Sequence, residues 1–324
     1  MIARHIPDPE NTYITVDREM LASVRDQEAA YAGFQNYVGR RFSCSELLYG
    51  SLISSGCESV EILAGCVCGG NSRDFVAEMN DAAREAGCRN TFFYDACGLM
   101  DEGKSTAKDV ALLVKEVFKI PFLKRMLSTS FYKIPLFDGM LMTTNELIDP
   151  KNTAGFCPYC VGGKTGMTSL SGACVSAVFE RNGKKYISVV LNEHFTRHPC
   201  GTKMVFHTCR DAVYRVFEST GRFIQISLPE HYKMLPVGSA YCLKPEVIRN
   251  TGRENVQYSF FSSDEEIAVV DSEGVVTVNG EGTVQLTVMT QTGDYDLCFL
   301  NSTAQTEAEL RRFEIPRFVS REQA

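Results

Sequence analysis

Residues 172–194, "GACVSAVFERNGKKYISVVLNEH", constrain the fold most. Two apolar runs of strand length flank Asn182-Gly183, a dipeptide whose residues both tolerate the positive φ of a two-residue hairpin turn. The stretch predicts an antiparallel hairpin around which a sheet is built. Helices precede it. Residues 43–64 read as a helix start and body, with Ser43 as N-cap and Glu46 completing a capping box. Residues 72–86 place Phe75, Met79 and Ala82 or Ala83 on one face, and Gly87 stops the run. Residues 106–119 predict a third helix, with Thr106 as cap, Asp109 at N3, Val110, Leu113 and Val117 facing inward, and Pro121 ending it. Another helix is expected near 203–218. The first two thirds of the chain therefore mix helices with an antiparallel sheet.

From about Phe223 the helical periodicity stops. "YSFFSSDEEIAVVDSEGVVTVNGEGTVQLTVMTQTGDYDLCFL" consists of short strands separated by Ser-Asp, Glu-Gly, Gly-Glu-Gly and Thr-Gly-Asp turns, an all-β sandwich pattern. Residues 303–324 are charged and expected to fray. A chain of 324 residues, 44% hydrophobic and 23% charged, suits one large or two ordinary globular domains. Its net charge of -7 argues against nucleic acid as the main partner. No apolar run reaches membrane-spanning length. "MIARHIPDPENTY" meets prolines and charges at once, so no signal peptide is expected in this chain. The 13 cysteines are odd in number and scattered without paired CxxC motifs. They read as reduced, buried, small apolar residues rather than a zinc site, and no metal or cofactor is expected.

"VGGKTGMTSLSG", residues 161–172, carries the chemistry. A strand bearing Lys164-Thr165-Gly166 sets an ammonium and a hydroxyl at a cleft edge, where they suit a terminal carboxylate. Gly166 has no side chain, so a peptide can lie against the strand. The tripeptide alone is weak evidence, but its surroundings add to it. "ELLYGSLISSGCESVEILA", "FVAEMNDAAREAGCRNTFFYDACGLMDEGKSTAKDVALL" and "GGKTGMTSLSG" together resemble the serine-type D-alanyl-D-alanine carboxypeptidases, the low-molecular-mass penicillin-binding proteins. The resemblance covers roughly residues 1–220. "SSDEEIAVVDSEGVVTVNGEGTVQLTV" in turn resembles bacterial immunoglobulin-like group 2 domains, over about residues 228–300.

The resemblances imply an α+β penicillin-binding/β-lactamase-like transpeptidase domain over 1–224, with helices packed on an antiparallel sheet. An all-β immunoglobulin-like sandwich over 225–302 and a charged tail over 303–324 follow. They imply an extracytoplasmic protein of peptidoglycan maturation that acts without a cofactor on stem peptides ending in D-Ala-D-Ala. β-Lactams would be ligands if the nucleophile were present, and membrane association is left open. The family builds its site from S-x-x-K, S-x-N and K-T-G. Carried onto this sequence, Ser55 is the second-motif serine and Cys57 stands in place of the Asn that binds the substrate amide. Lys164, Thr165 and Gly166 match the third motif, and Met167 offers a backbone N–H to an oxyanion. A thiol lacks the two donors and strong acceptor of a carboxamide, and losing such a hydrogen bond costs on the order of 1–3 kcal/mol.

The first motif, which supplies the nucleophilic serine, would fall ahead of Met1, with "MIARHI" as the tail of its helix. The family's two strands from before that motif would also be absent, leaving one sheet edge open. The expectation is therefore an N-terminally incomplete chain without the nucleophile, inactive as written. S-x-x-K spacing does occur at Ser105-Lys108 and Ser130-Lys133, but both fall in unrelated segments of the family pattern. Cys157-Pro158-Tyr159-Cys160 looks like a dithiol redox motif but leads into the K-T-G strand, outside a thioredoxin-like context. His194 and His198 lack a carboxylate partner and read as surface residues, and Arg197 is a candidate carboxylate ligand without a secure place in the alignment. The alternatives are a non-catalytic cell-surface receptor that keeps the cleft, and a β-lactamase-like hydrolase, which the family-wide match disfavours.

Overall fold

The computed structural model describes residues 1–21, 24, 28–69, 72–199, 201–252 and 255–304. Among the described residues the α-helices run α1 (Ile2–His5), α2 (Cys44–Ile53), α3 (Cys57–Val67), α4 (Ser72–Glu85), α5 (Ala107–Val117), α6 (Pro121–Leu127) and α7 (Met204–Thr220). The predicted helix over 43–64 is two helices. The capping box starts the first one as expected: Ser43 Oγ accepts the Glu46 N–H at 3.1 Å and Glu46 Oε2 accepts the Ser43 N–H at 2.7 Å. The chain then breaks at Ser54-Ser55-Gly56, where Ser55 takes a φ of +58°. A non-glycine residue in that region is strained, and such strain gathers at functional positions. Gly56 has no room for a side chain, since a Cβ would lie 2.7 Å from the Ala32 Cβ and 2.9 Å from the Ala32 nitrogen. Helix α5 is capped as expected, with Thr106 Oγ1 accepting the Asp109 N–H at 3.2 Å.

Two short pairs, β1 (Tyr13–Thr15) with β2 (Arg41–Ser43) and β3 (Phe131–Tyr132) with β4 (Leu141–Met142), brace the helical part. The main sheet is antiparallel and ordered β5 (Cys160–Thr168), β6 (Gly172–Arg181), β7 (Lys184–Glu193). The hairpin turn is where the sequence puts it: Asn182 and Gly183 have φ of +52° and +71°. Among the described residues β7 pairs only with β6. One core gathers α2, α3 and α6 around Phe34, Phe42, Leu47, Ile53 and Ile62. A second lies between α7 and the sheet, where Val205, Cys209, Val213 and Phe217 meet Val175, Ala177, Phe179 and Tyr159.

The C-terminal region runs β8 (Ile224–Ser227), β9 (Tyr232–Pro236), β10 (Ala240–Cys242), β11 (Glu246–Asn250), β12 (Tyr258–Ser262), β13 (Ala268–Val270), β14 (Val275–Val278), β15 (Gly282–Thr290) and β16 (Tyr295–Thr303). Sheets β12-β15-β16-β9 and β10-β14-β13 enclose a third core, while β8 pairs with β11. Strand β15 alternates, burying Val284, Leu286 and Val288. Strand β16 does not alternate: every residue from Asp296 to Ser302 is buried. One face of it, Cys298 and Leu300, faces the sandwich core. The other, Leu297 and Phe299, packs on Phe156, which precedes the main sheet. A strand covered on both faces needs no polar side. A division of the chain at 224/225 thus falls inside buried structure, with Phe223 in the second core and Ile224 in the third. Nearly all of the charged tail lies outside the described residues.

A buried ion pair locks the two parts together. Arg181, at the end of β6, gives Asp294 a bidentate bond of 2.7 and 3.1 Å, with the two side chains 8% and 1% exposed. Asp294 also accepts the Tyr159 hydroxyl at 3.2 Å, the Ile224 N–H at 2.8 Å and the Thr292 hydroxyl at 2.9 Å. The Arg181 guanidinium lies over the rings of Phe217 and Phe223, at 5.2 and 5.0 Å. At the margin, Arg249 pairs with Asp211 and Glu218 of α7.

Candidate active site

The helix break and strand β5 face each other across a cleft of about 600 Å³. Its lining includes Ser51, Ser55, Cys57, Thr144, Lys164, Thr165, Gly166 and Met167, together with Cys97, Cys174, Lys203 and Phe206. The sequence-predicted set of Ser55, Cys57, Lys164, Thr165, Gly166 and Met167 is brought together in full.

The Lys164 ammonium hydrogen-bonds Ser55 Oγ and the Thr165 carbonyl, the latter at 2.6 Å. The strained φ of Ser55 directs its hydroxyl to this lysine rather than back onto its own helix. Burial pulls the Lys164 pKa down to about 8 from the usual 10.5, with the Cys57 thiol opposing the shift. Thr165 Oγ1 lies 2.5 Å from Thr144 Oγ1, and the Thr144 N–H donates to the Ile53 carbonyl at 3.0 Å. Thr144 therefore ties the end of α2 to β5, and sequence reasoning missed it because it belongs to a loop without a motif. Gly163 permits the strand pairing: a Cβ there would lie 2.4 Å from the Ser176 carbonyl oxygen. Gly166 is different, since its Cβ would meet only the Cys174 Cβ at 3.9 Å. That strand face is open to a ligand backbone.

Cys57 is 6% exposed and starts α3, its N–H bonded to the Ala30 carbonyl at 2.8 Å. The neighbouring Cys97 thiol holds the Cys57 pKa below the ordinary thiol value, against the cost of burial. Behind Cys57, the buried Glu58 carboxylate accepts the N–H groups of Ala32, Gly33 and Phe34 at 2.8, 2.8 and 3.2 Å. This fixes the 32–34 turn against the helix break. At the outer end, Glu28 accepts the Ser169 N–H at 2.9 Å and so bridges to the tip of the β5–β6 hairpin.

The other candidates lie elsewhere. Ser105 Oγ is 2.9 Å from Thr91 Oγ1. Ser130 Oγ donates to the Ile148 carbonyl at 2.6 Å, while Lys133 is spent on the carbonyls of Phe137, Asp138 and Gly139. Neither serine lines the cleft. The side chains of Cys157 and Cys160 are buried in the second core, with Cys157 Sγ 3.4 Å from the Tyr214 hydroxyl oxygen. Arg197 donates to the Gly201 carbonyl at 2.6 Å, outside the cleft lining. His198 stacks on His207 with ring centroids 3.8 Å apart. No group of three or more potential metal ligands occurs among the described residues.

The geometry sets a pH dependence. Lys164 is an ammonium below about pH 8 and a neutral amine above it. A bound carboxylate favours the ammonium, so the complex holds a proton that the free protein releases as pH rises through that value. Affinity for a carboxylate-ended ligand is expected to be level below about pH 8 and to fall by up to about tenfold per unit above it. Calorimetric titrations at several pH values check this, and an affinity level through pH 9.5 would contradict it.

Helices packed on an antiparallel sheet, with a helix-break serine facing a strand lysine, define the penicillin-binding transpeptidase fold. Solved structures share it. A D-alanyl-D-alanine carboxypeptidase from Mycobacterium tuberculosis matches with a TM-score of 0.54 at 20% identity, over 67% of this chain and 78% of that one. A penicillin-binding protein from Listeria monocytogenes, in its cefotaxime-bound form, matches with a TM-score of 0.53 at 25% identity, over 66% and 81%.

In sequence, the family model for D-alanyl-D-alanine carboxypeptidase matches residues 10–195, more than half of the chain. The chain belongs to that family. D-alanyl-D-alanine carboxypeptidase DacF of Bacillus subtilis is 31% identical over 182 residues, which is 53% of this chain and 44% of that protein. A Streptomyces D-alanyl-D-alanine carboxypeptidase is 27% identical over 165 residues, 48% of this chain and 56% of that one. The chain spans about half the length of these curated relatives. An immunoglobulin-like domain model, that of intimin, matches residues 254–292, in keeping with the C-terminal β-rich region.

Proposed function

We propose that the cleft binds the terminal carboxylate of a peptidoglycan stem peptide ending in D-Ala-D-Ala. The observation that carries this reading is the Lys164 ammonium, held by Ser55 beside the open strand face at Gly166. A peptide laid along β5 would pair its backbone with the strand and set its carboxylate on Lys164 and Thr165. Cys57 would face the amide that precedes the last residue. Family membership supports the same substrate class and an extracytoplasmic location, and no described helix is long and apolar enough to cross a membrane.

Within residues 1–324 we assign this site a receptor role. The sequence holds S-x-x-K spacing only at Ser105 and Ser130, and both of these serines lie outside the cleft. Below about pH 8 Ser55 Oγ is engaged by the Lys164 ammonium, which stabilises a hydroxyl lone pair rather than removing a proton. Serine acyl transfer needs a base on its hydroxyl, so the expected consequence is ligand binding without turnover.

The test compares an acylated dipeptide ending in D-Ala-D-Ala carboxylate with the same peptide ending in a carboxamide. Removing a charge-assisted bond costs about 1.5–3 kcal/mol, so the carboxamide is expected to bind roughly ten- to a hundredfold more weakly at pH 7. Equal affinities would overturn the reading.

A further inference from the structure

The cleft contains a pair of thiols that carboxylate binding does not use. Cys57 opens α3, and Cys97 lies 40 positions on, in the turn that follows Asp95. Both line the cleft. Cys97 Sγ is 3.5 Å from the Cys57 carbonyl oxygen and 3.4 Å from Glu61 Oε1. The turn is held in place by the Asp95 carboxylate, which accepts the N–H groups of Gly98, Leu99 and Met100.

The surroundings divide the pair into unlike partners. The neighbouring Cys97 thiol and, to a smaller degree, the Lys164 charge hold the Cys57 pKa below the ordinary thiol value against burial, so of the two it gives up its proton more easily. Cys97 faces the Cys57 sulfur and the Glu61 carboxylate, so it stays protonated. A thiolate with a protonated thiol in contact is what thiol–disulfide exchange requires of an attacking and a resolving cysteine. A cleft of about 600 Å³ admits a small disulfide, whereas Cys57 at 6% exposure is out of reach of a folded protein's disulfide.

We propose that Cys57 and Cys97 form a redox-active dithiol site whose co-reactant is a low-molecular-weight disulfide. The Cys57 thiolate attacks one sulfur of R–S–S–R. A Cys57–S–S–R bond forms, the R–S–S–R bond breaks, and R–S⁻ leaves with the electron pair. The Cys97 proton passes to that departing thiolate. Cys97 sulfur then attacks the Cys57 sulfur, the intramolecular Cys57–Cys97 bond forms, and the second R–S⁻ leaves. The two cysteines are oxidised by two electrons, and the disulfide is reduced to one thiol and one thiolate. The closed bond ties the Asp95–Met100 turn to the start of α3 and removes the Cys57 thiolate from beside Lys164. In an oxidising compartment the closed form is the resting one.

The test uses the full chain with oxidised glutathione as the probe, followed by alkylation of free thiols and peptide mapping by mass spectrometry. The unmodified sequence is expected to yield a linked Cys57–Cys97 peptide. Cys97→Ser is expected to stop at a glutathione adduct on Cys57, and Cys57→Ser is expected to leave Cys97 free. The proposal is overturned if both thiols of the unmodified chain remain alkylatable. It is overturned equally if Cys57 pairs with Cys174, the third thiol of the cleft, or if glutathione settles on Cys97 in Cys57→Ser. The mapping needs no peptide ligand, so its outcome stands apart from that of the carboxylate reading.

Discussion

Residues 1–324 treated with a penicillin are expected to keep their unmodified mass and to release no D-Ala from a D-Ala-D-Ala peptide. The reason is local chemistry. A penicillin acylates a serine whose proton is taken by a neighbouring base, and removing such a nucleophile costs on the order of a millionfold in rate in enzymes of this kind. The cleft serines are Ser51, Ser55 and Ser171. Ser51 donates to the Leu48 carbonyl at 3.0 Å, Ser55 receives the Lys164 ammonium, and Ser171 donates to the Gly172 carbonyl at 3.1 Å. A stable acyl adduct in the intact mass would contradict this. An adduct mapped to Ser105 or Ser130 would further show that the bonds holding those hydroxyls are not what the structure shows.

Asp294→Ala is expected to be the most damaging single substitution outside the cleft. It removes the acceptor of the Arg181 guanidinium, the Tyr159 hydroxyl and the Ile224 N–H, all in buried surroundings. An unpaired buried charge left by removing one partner costs about 3–5 kcal/mol. Urea unfolding measures the change. A loss below about 1 kcal/mol would show the pair to be replaceable by water, as at a surface site. The consequence reaches the cleft as well, because Arg181 ends the strand that pairs with β5 along Lys164–Thr165. Asp294→Ala is therefore expected to weaken carboxylate binding even though it lies outside the site.

Local signals in the sequence located most elements. The Ser43–Glu46 box, the Thr106 cap and the Asn182-Gly183 turn each act within a few residues, so their effect is decided before tertiary contacts form. The break at Ser54–Gly56 was not legible, because apolar spacing continues through it and only tertiary contacts hold Ser55 at positive φ. The site followed the same division. Ser55, Cys57 and Lys164–Met167 belong to short motifs and were readable. Thr144, Cys97 and Glu28 reach the cleft from distant loops and carried no mark of it. The sequence did contain one unused sign of the interface between the two parts. "LCFL" at 297–300 is a continuous apolar run, the pattern of a strand buried on both faces, whereas a free-standing sandwich strand alternates. That run covers Phe156 in the structure.

The central claim is that Lys164 at the Ser55 side of the cleft receives a peptide carboxylate. Its most direct test is calorimetric titration of an acylated D-Ala-D-Ala peptide into the unmodified chain and into Lys164→Met at pH 7, with circular dichroism to confirm that both are folded. Saturable binding by the unmodified chain and a loss of at least about tenfold in Lys164→Met is the expected result. Binding of equal strength in the two proteins, or none in either, would contradict the account.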